Sequence, residues 1–268
     1  MFDAEYFNLG YLDTLSYQDT VIHRLDPRAK LVATIVFIVM VVSFPKYDIT
    51  GLLPFFLFPV LLLSLGDIPA KFVLKKVLVA SSFAVLIGIF NPLLDRQNAA
   101  LFLGIPISGG WLSFLSIMLK FFLTISSALL LVATTSFPGV CHALQKIGLP
   151  EIFVSQLLFL YRYIFVLMEE AMKIVRARDM RSFGRKGHDM KTVTRLIGTL
   201  FLRTMERAER VYQAMLSRGF NGRLHSVKTY RFRAVDALFL LATVVLLYLF
   251  RVHDVVGALG RLTVRALG

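Results

Sequence analysis

The sequence predicts an all-α, polytopic membrane protein with about five transmembrane helices and a cytoplasmic hairpin of long helices. Three observations predict it. Of 268 residues, 57% are hydrophobic and only 18% charged, with a mean hydropathy of +0.70, where soluble domains hold about 45–50% apolar and about 25% charged residues. The apolar residues gather in runs near the ~20 residues that cross ~30 Å of hydrocarbon. The 30 Lys and Arg against 17 Asp and Glu leave a net charge of +13, and a chain both apolar and basic is most simply a multi-span protein with one basic face. Disordered, collagen-like and disulfide-scaffold classes are excluded, and a single cysteine, Cys141, forms no internal bridge.

The first 25 residues carry Asp3, Glu5, Asp13 and Asp19 and no apolar core, unlike a signal peptide. Expected spans follow at 31–44, 49–65, 72–90, 111–135 and 234–250. The second contains Pro54 and Pro59, tolerated where neighbouring helices re-satisfy the freed carbonyls. Lys120 is the one formal charge deep in a span, a polar path or a snorkelling side chain. With the N-terminus in the cytoplasm, the inside segments hold 24 Lys and Arg and the outside ones 5. The bias rests on the long segment 136–233, with 18 of them against seven acids. The run 152–168 is apolar but short and carries Arg162, which is costly in a bilayer. It is expected to lie along the cytoplasmic interface.

Three regions result: 1–135, the N-terminal segment and four spans; 136–233, a cytoplasmic helical domain; and 234–268, the last span and tail. The middle region predicts two helices, from about Pro150 to Ser182 and from about Asp189 to Ser217, joined by a turn over residues 183–188. The second is amphipathic: Val193, Leu196, Ile197, Leu200, Phe201, Ala208, Val211, Tyr212 and Met215 share a stripe, opposite Arg203, Glu206, Arg207 and Arg210. Gly219 and Gly222 stop it. Such length suits reaching another protein.

No G-x-x-x-x-G-K-[ST] loop, H-E-x-x-H motif, Cys/His cluster or G-x-S-x-G elbow is present. The five histidines are scattered. Asp26, Arg28 and Lys30 are the one dense polar group at a membrane face. They fit a lipid-modifying active site or a helix start, with Asp26 as N-cap and Pro27 in the first turn.

The run His23-Arg24-Leu25-Asp26-Pro27-Arg28-Ala29-Lys30-Leu31 resembles the signature that opens the transmembrane component of energy-coupling factor (ECF) transporters, the EcfT/CbiQ family. Ala177-Arg178-Asp179 and Ser217-Arg218-Gly219, at the ends of the two long helices, resemble that family's paired coupling motifs. Asp179 departs from the small residue usual there. The resemblance covers about residues 8–250 and implies a scaffold with no catalytic residue, cofactor or metal ligand of its own. Its implied partners are two ABC-type ATPases, gripped at the two arginine motifs, a substrate-binding membrane S component and membrane lipids, with no nucleic acid. It implies a multi-pass protein of the cell inner membrane. The segment Leu12-Asp13-Thr14-Leu15-Ser16 looks more like the cobalt branch, so cobalt uptake is the expected role. Nickel or vitamin uptake and, from a different class, lipid modification stay open.

Overall fold

The computed structural model describes residues 14–94, 98–102, 105–181, 190–222 and 230–252. Backbone contacts divide the chain into two units, residues 12–140 with 230–268, and residues 1–11 with 141–229.

In the first unit, α1 (Pro27–Val42) begins on the Asp26 cap and Pro27. A 3-10 turn over Thr50–Phe56 leads into α2 (Leu57–Leu65). Pro54 lies inside the turn, and a residue without an N–H cannot complete an α-helical ladder. α3 (Ala70–Gly88), a short α4 (Asn91–Leu94) and two antiparallel strands, β1 (Asn98–Phe102) and β2 (Ile105–Ser108), follow. This hairpin occupies the expected loop between the third and fourth spans and is the small exception to an otherwise helical chain among the described residues. α5 (Gly109–Thr134) packs on α1, α2 and α3, and α9 (Ala234–Val252) packs on α1.

Phenylalanines fill the middle of this bundle. Phe37 stacks on Phe58 with centroids 4.5 Å apart, and Phe55 meets the edges of Phe44 and Phe250 at 5.2 and 6.1 Å. Leu52, Leu123, Leu130 and Leu247 close the core. Without a hydrophobic effect between helices in lipid, such packing and polar cross-links hold the bundle. Two lysines supply the links. Lys30 of α1 donates to the Thr134 carbonyl at the end of α5, 2.7 Å, and Lys120 of α5 donates to the Phe44 carbonyl just past α1, 2.6 Å. Lys30 and Phe44 are 14 residues apart, as are Lys120 and Thr134. The two rungs thus join antiparallel helices about 21 Å apart along the axis. Each ammonium takes a carbonyl that a helix end leaves without an intrahelical partner.

Three of the described helices are long and apolar enough to cross a membrane: α5, α9 and α7 (Glu151–Arg181). The other expected spans are helical but fall short of that measure. α1 has 16 residues, α2 follows a 3-10 turn, and α3 carries Lys71, Lys75 and Lys76. α7 matches the helix expected from about Pro150 to Ser182, and the run 152–168 is the first part of this unbroken helix of 31 residues.

The second unit contains α7 and α8 (Met190–Ser217), of 31 and 28 residues, preceded by the end of α6 (Phe137–Ile147). The expected turn at 183–188 lies outside the described residues. α7 and α8 are antiparallel: Arg203 meets Glu170 at 3.0 Å, Phe220 meets the edge of Phe159, and the Ser155 hydroxyl donates to the Gly222 carbonyl. None of α8's residues is buried.

Candidate functional site

The two arginine motifs lie on helix ends of the second unit. Ala177, Arg178 and Asp179 occupy the last turns of α7, with Ala177 and Arg178 half-buried and Asp179 exposed. Ser217, Arg218 and Gly219 end α8, all exposed. The local geometry explains the second motif. The Gly219 N–H donates to the Leu216 carbonyl at 2.9 Å and the Phe220 N–H to the Met215 carbonyl at 3.0 Å. This is a Schellman turn with Arg218 as the capping residue. It requires the left-handed conformation, and Gly219 has φ +79°. A Cβ there would meet nothing within 4 Å, so the glycine serves the turn rather than a close approach. The result is a guanidinium standing at a sharp helix end, free to make forked bonds to a carboxylate or to carbonyls.

The antiparallel course separates the two arginines. Phe220, two residues past Arg218, touches Phe159, with ring centroids 6.0 Å apart. From Phe159 to Arg178 is 19 residues of one helix, about 28 Å. The two motifs therefore lie toward opposite ends of the α7–α8 pair.

The signature residues sit in the first unit, where three helix ends meet. Asp26 caps α1, its Oδ1 accepting the Arg28 N–H at 2.9 Å. Its own N–H donates to Asp236 Oδ1 at 2.8 Å. Asp236, in the first turn of α9, accepts the Arg233 N–H on Oδ2 at 2.7 Å. One carboxylate thus holds the cap amides of two helices, a capping box shared between them. At the end of α5, His23 Nε2 lies 3.0 Å from the Leu15 carbonyl and 3.3 Å from that of Ala133, and Lys30 takes Thr134. Thr20 Oγ1 lies 2.7 Å from His23 Nδ1. Burial holds the imidazole pKa below its ordinary value of 6.5, with Lys30's charge adding to the effect and the two carbonyl bonds opposing it. Asp26, Lys30 and Asp236 are each under 5% exposed. Arg28 Nε lies 3.7 Å from Asp26 Oδ1, and Arg24 is an exposed partner of Asp19.

The signature is therefore a joint: Asp26, Lys30 and His23 bond to backbone at helix ends. Asp236 and the carbonyls of α5 are the members that motif reading missed. The visible signal was an acid in the first turn of an apolar helix, which identifies a helix start but not its distant second partner.

Comparisons with known proteins show the family of the chain. Residues 18–230 match the CbiQ family, described as a cobalt transport protein. An uncharacterized protein of Methanocaldococcus jannaschii is 28% identical over 87% of this chain and 83% of its own length. The energy-coupling factor transporter transmembrane protein EcfT of Bacillus subtilis is 27% identical over 76% of this chain and 82% of its own. A putative fused cobalt transport protein CbiMQ of Methanocorpusculum labreanum is 34% identical over 34% of this chain and 16% of its own. A signature joint, apolar helices long enough to cross a bilayer and a family match over most of the chain together identify it as a multi-pass membrane protein of the CbiQ/EcfT family, the transmembrane components of ECF transporters.

Proposed function

We propose that the chain is the lever of an ATP-driven importer. It grips one ABC-type ATPase at Arg178 and another at Arg218, and passes their closing motion to a substrate-binding membrane S component. It has no catalytic step of its own. The observation that carries this reading is the α7–α8 pair: two long helices whose arginine ends are about 28 Å apart. Two grips so spaced suit two subunits that approach and separate on ATP binding and hydrolysis. α8 presents its apolar stripe without burying it, which leaves a face for the S component. In this arrangement the N-terminus and residues 136–233 face the cytoplasm of a cell inner membrane.

Cobalt is the proposed cargo. The description of the matched family and the name of the CbiMQ relative support it, and the S component would supply the metal ligands.

Co-expression with the ATPases and S component, followed by pull-down and uptake of Co²⁺ against Ni²⁺, tests the proposal. An arginine anchor in a desolvated groove carries about 2 kcal/mol or more, roughly thirtyfold in binding, against a few tenths of a kcal/mol for a solvated charge. Arg178→Ala and Arg218→Ala each lose most of the ATPases, and Arg218→Lys restores little because an ammonium lacks the fork. Arg195→Ala, exposed on α8, retains them. Equal retention by all three alanine variants overturns the anchors, and Ni²⁺ uptake in place of Co²⁺ overturns the cargo.

A further inference from the structure

Between α7 and α8, away from both arginine motifs, a cleft of about 350 Å³ brings Arg203, Arg207 and Arg210 of α8 against Leu167 and Glu170 of α7. Its charges are unevenly satisfied. Arg203 is paired with Glu170 at 3.0 Å and Arg210 with Glu206 at 3.9 Å. Glu169, the other acid at this level of α7, is held by Lys173 at 2.9 Å. Arg207 has no acid within ion-pair distance among the described residues. Arg203 spends one nitrogen on Glu170 and keeps other donors. The cleft therefore has an excess positive charge and open guanidinium donors.

Its position along α7 is the second observation. The run 152–168, apolar apart from Arg162 and Gln156, ends at Leu167 and Met168, and the dense charges of α7 begin at Glu169. The cleft straddles that boundary. Where acyl chains cover the apolar run, the level of Arg207 is the level of the headgroups.

We propose that this cleft binds the phosphate of an anionic phospholipid headgroup. Arg207 is the principal donor, Arg203 lends a second, and Leu167 meets the first carbons of the acyl chains. A diester phosphate with one negative charge matches the excess of one in the cleft, and guanidinium forks suit phosphate oxygens better than a point ammonium would. The lipid would then brace the two helices at their crossing.

Native mass spectrometry of the purified full chain in neutral detergent tests this, with phosphatidylglycerol or phosphatidylcholine added at equal concentration. Phosphatidylglycerol is retained over phosphatidylcholine. Arg207→Gln lowers its retention about fivefold, the equivalent of the ~1 kcal/mol that one basic residue contributes at an anionic surface. Arg195→Gln, on the same helix outside the cleft, leaves it unchanged. Glu206→Gln, which removes a competing acid, raises retention, a gain that misfolding cannot produce. Millimolar inorganic phosphate does not displace the lipid. Equal loss from Arg195→Gln and Arg207→Gln overturns the site in favour of diffuse attraction, and complete displacement by inorganic phosphate overturns the lipid as its occupant.

Discussion

Asp236 shows how much one side chain can hold. Its two oxygens take the cap amides of α1 and α9, and both amides are obligatory donors. Asp236→Asn keeps the shape, but an amide nitrogen then faces one of those N–H groups. Leaving a buried donor unsatisfied costs about 1–3 kcal/mol, so the variant unfolds at lower temperature in detergent, while Asp19→Asn, at an exposed pair, is near neutral. His23 gives a pH signature. Its native pKa is depressed, chiefly by burial, so the unfolded chain takes up the proton first as pH falls below about 6.5. The stability that neutral His23 contributes is complete above that value and is lost as pH falls through its lower native pKa. Melting followed from about pH 8 to about pH 5 detects it. His23→Asn flattens that part of the profile, and an unchanged slope removes His23 from the joint.

Two glycines act on helices of this protein in different ways, Gly88 through space and Gly219 through backbone conformation. Gly88 of α3 abuts α5 so closely that a Cβ would lie 2.8 Å from the Phe114 ring. Gly88→Ala forces the ring or the helices to move, at about 1–3 kcal/mol. Phe114→Leu makes room, so the double variant recovers part of the loss, and additive losses would place the strain elsewhere. At Gly219 the constraint is backbone rather than space. An alanine at φ +79° costs about 1–2 kcal/mol and frays the last turn of α8. Faster amide exchange at Leu216 to Phe220 in Gly219→Ala reads this directly, and Gly219→Asn, which tolerates that conformation, exchanges more slowly than alanine.

Across the whole molecule, the proposed orientation predicts which loops face which side. Cysteine at Asn98 reacts with impermeant reagents from outside, and cysteine at Lys186 only from inside. The native Cys141 is 1% exposed and burial raises its pKa to about 11, so it adds little background. External labelling at Lys186 reverses the side assigned to the α7–α8 pair and makes α7 a crossing helix, a course its length and apolar composition allow.

Composition and hydropathy were enough to read a helical membrane protein, the places of its long helices and the antiparallel long pair, because apolar runs and 3.6-residue periodicity are local properties of the chain; the short α6 was not read. The Asp26 cap and the Gly219 stop were legible for the same reason, since capping involves residues within a few positions. The β-hairpin was not, as strand pairing depends on a partner segment and on register. Nor was the role of Lys120, which stands mid-helix in sequence but reaches the end of α1. The joint of His23, Asp26 and Lys30 joins residues more than a hundred positions apart, at Ala133, Thr134 and Asp236. A motif names such residues but not their partners. Only the packing of α1, α5 and α9 brings three helix ends together, and the need to satisfy their backbone groups away from water decides which side chain answers which carbonyl or amide.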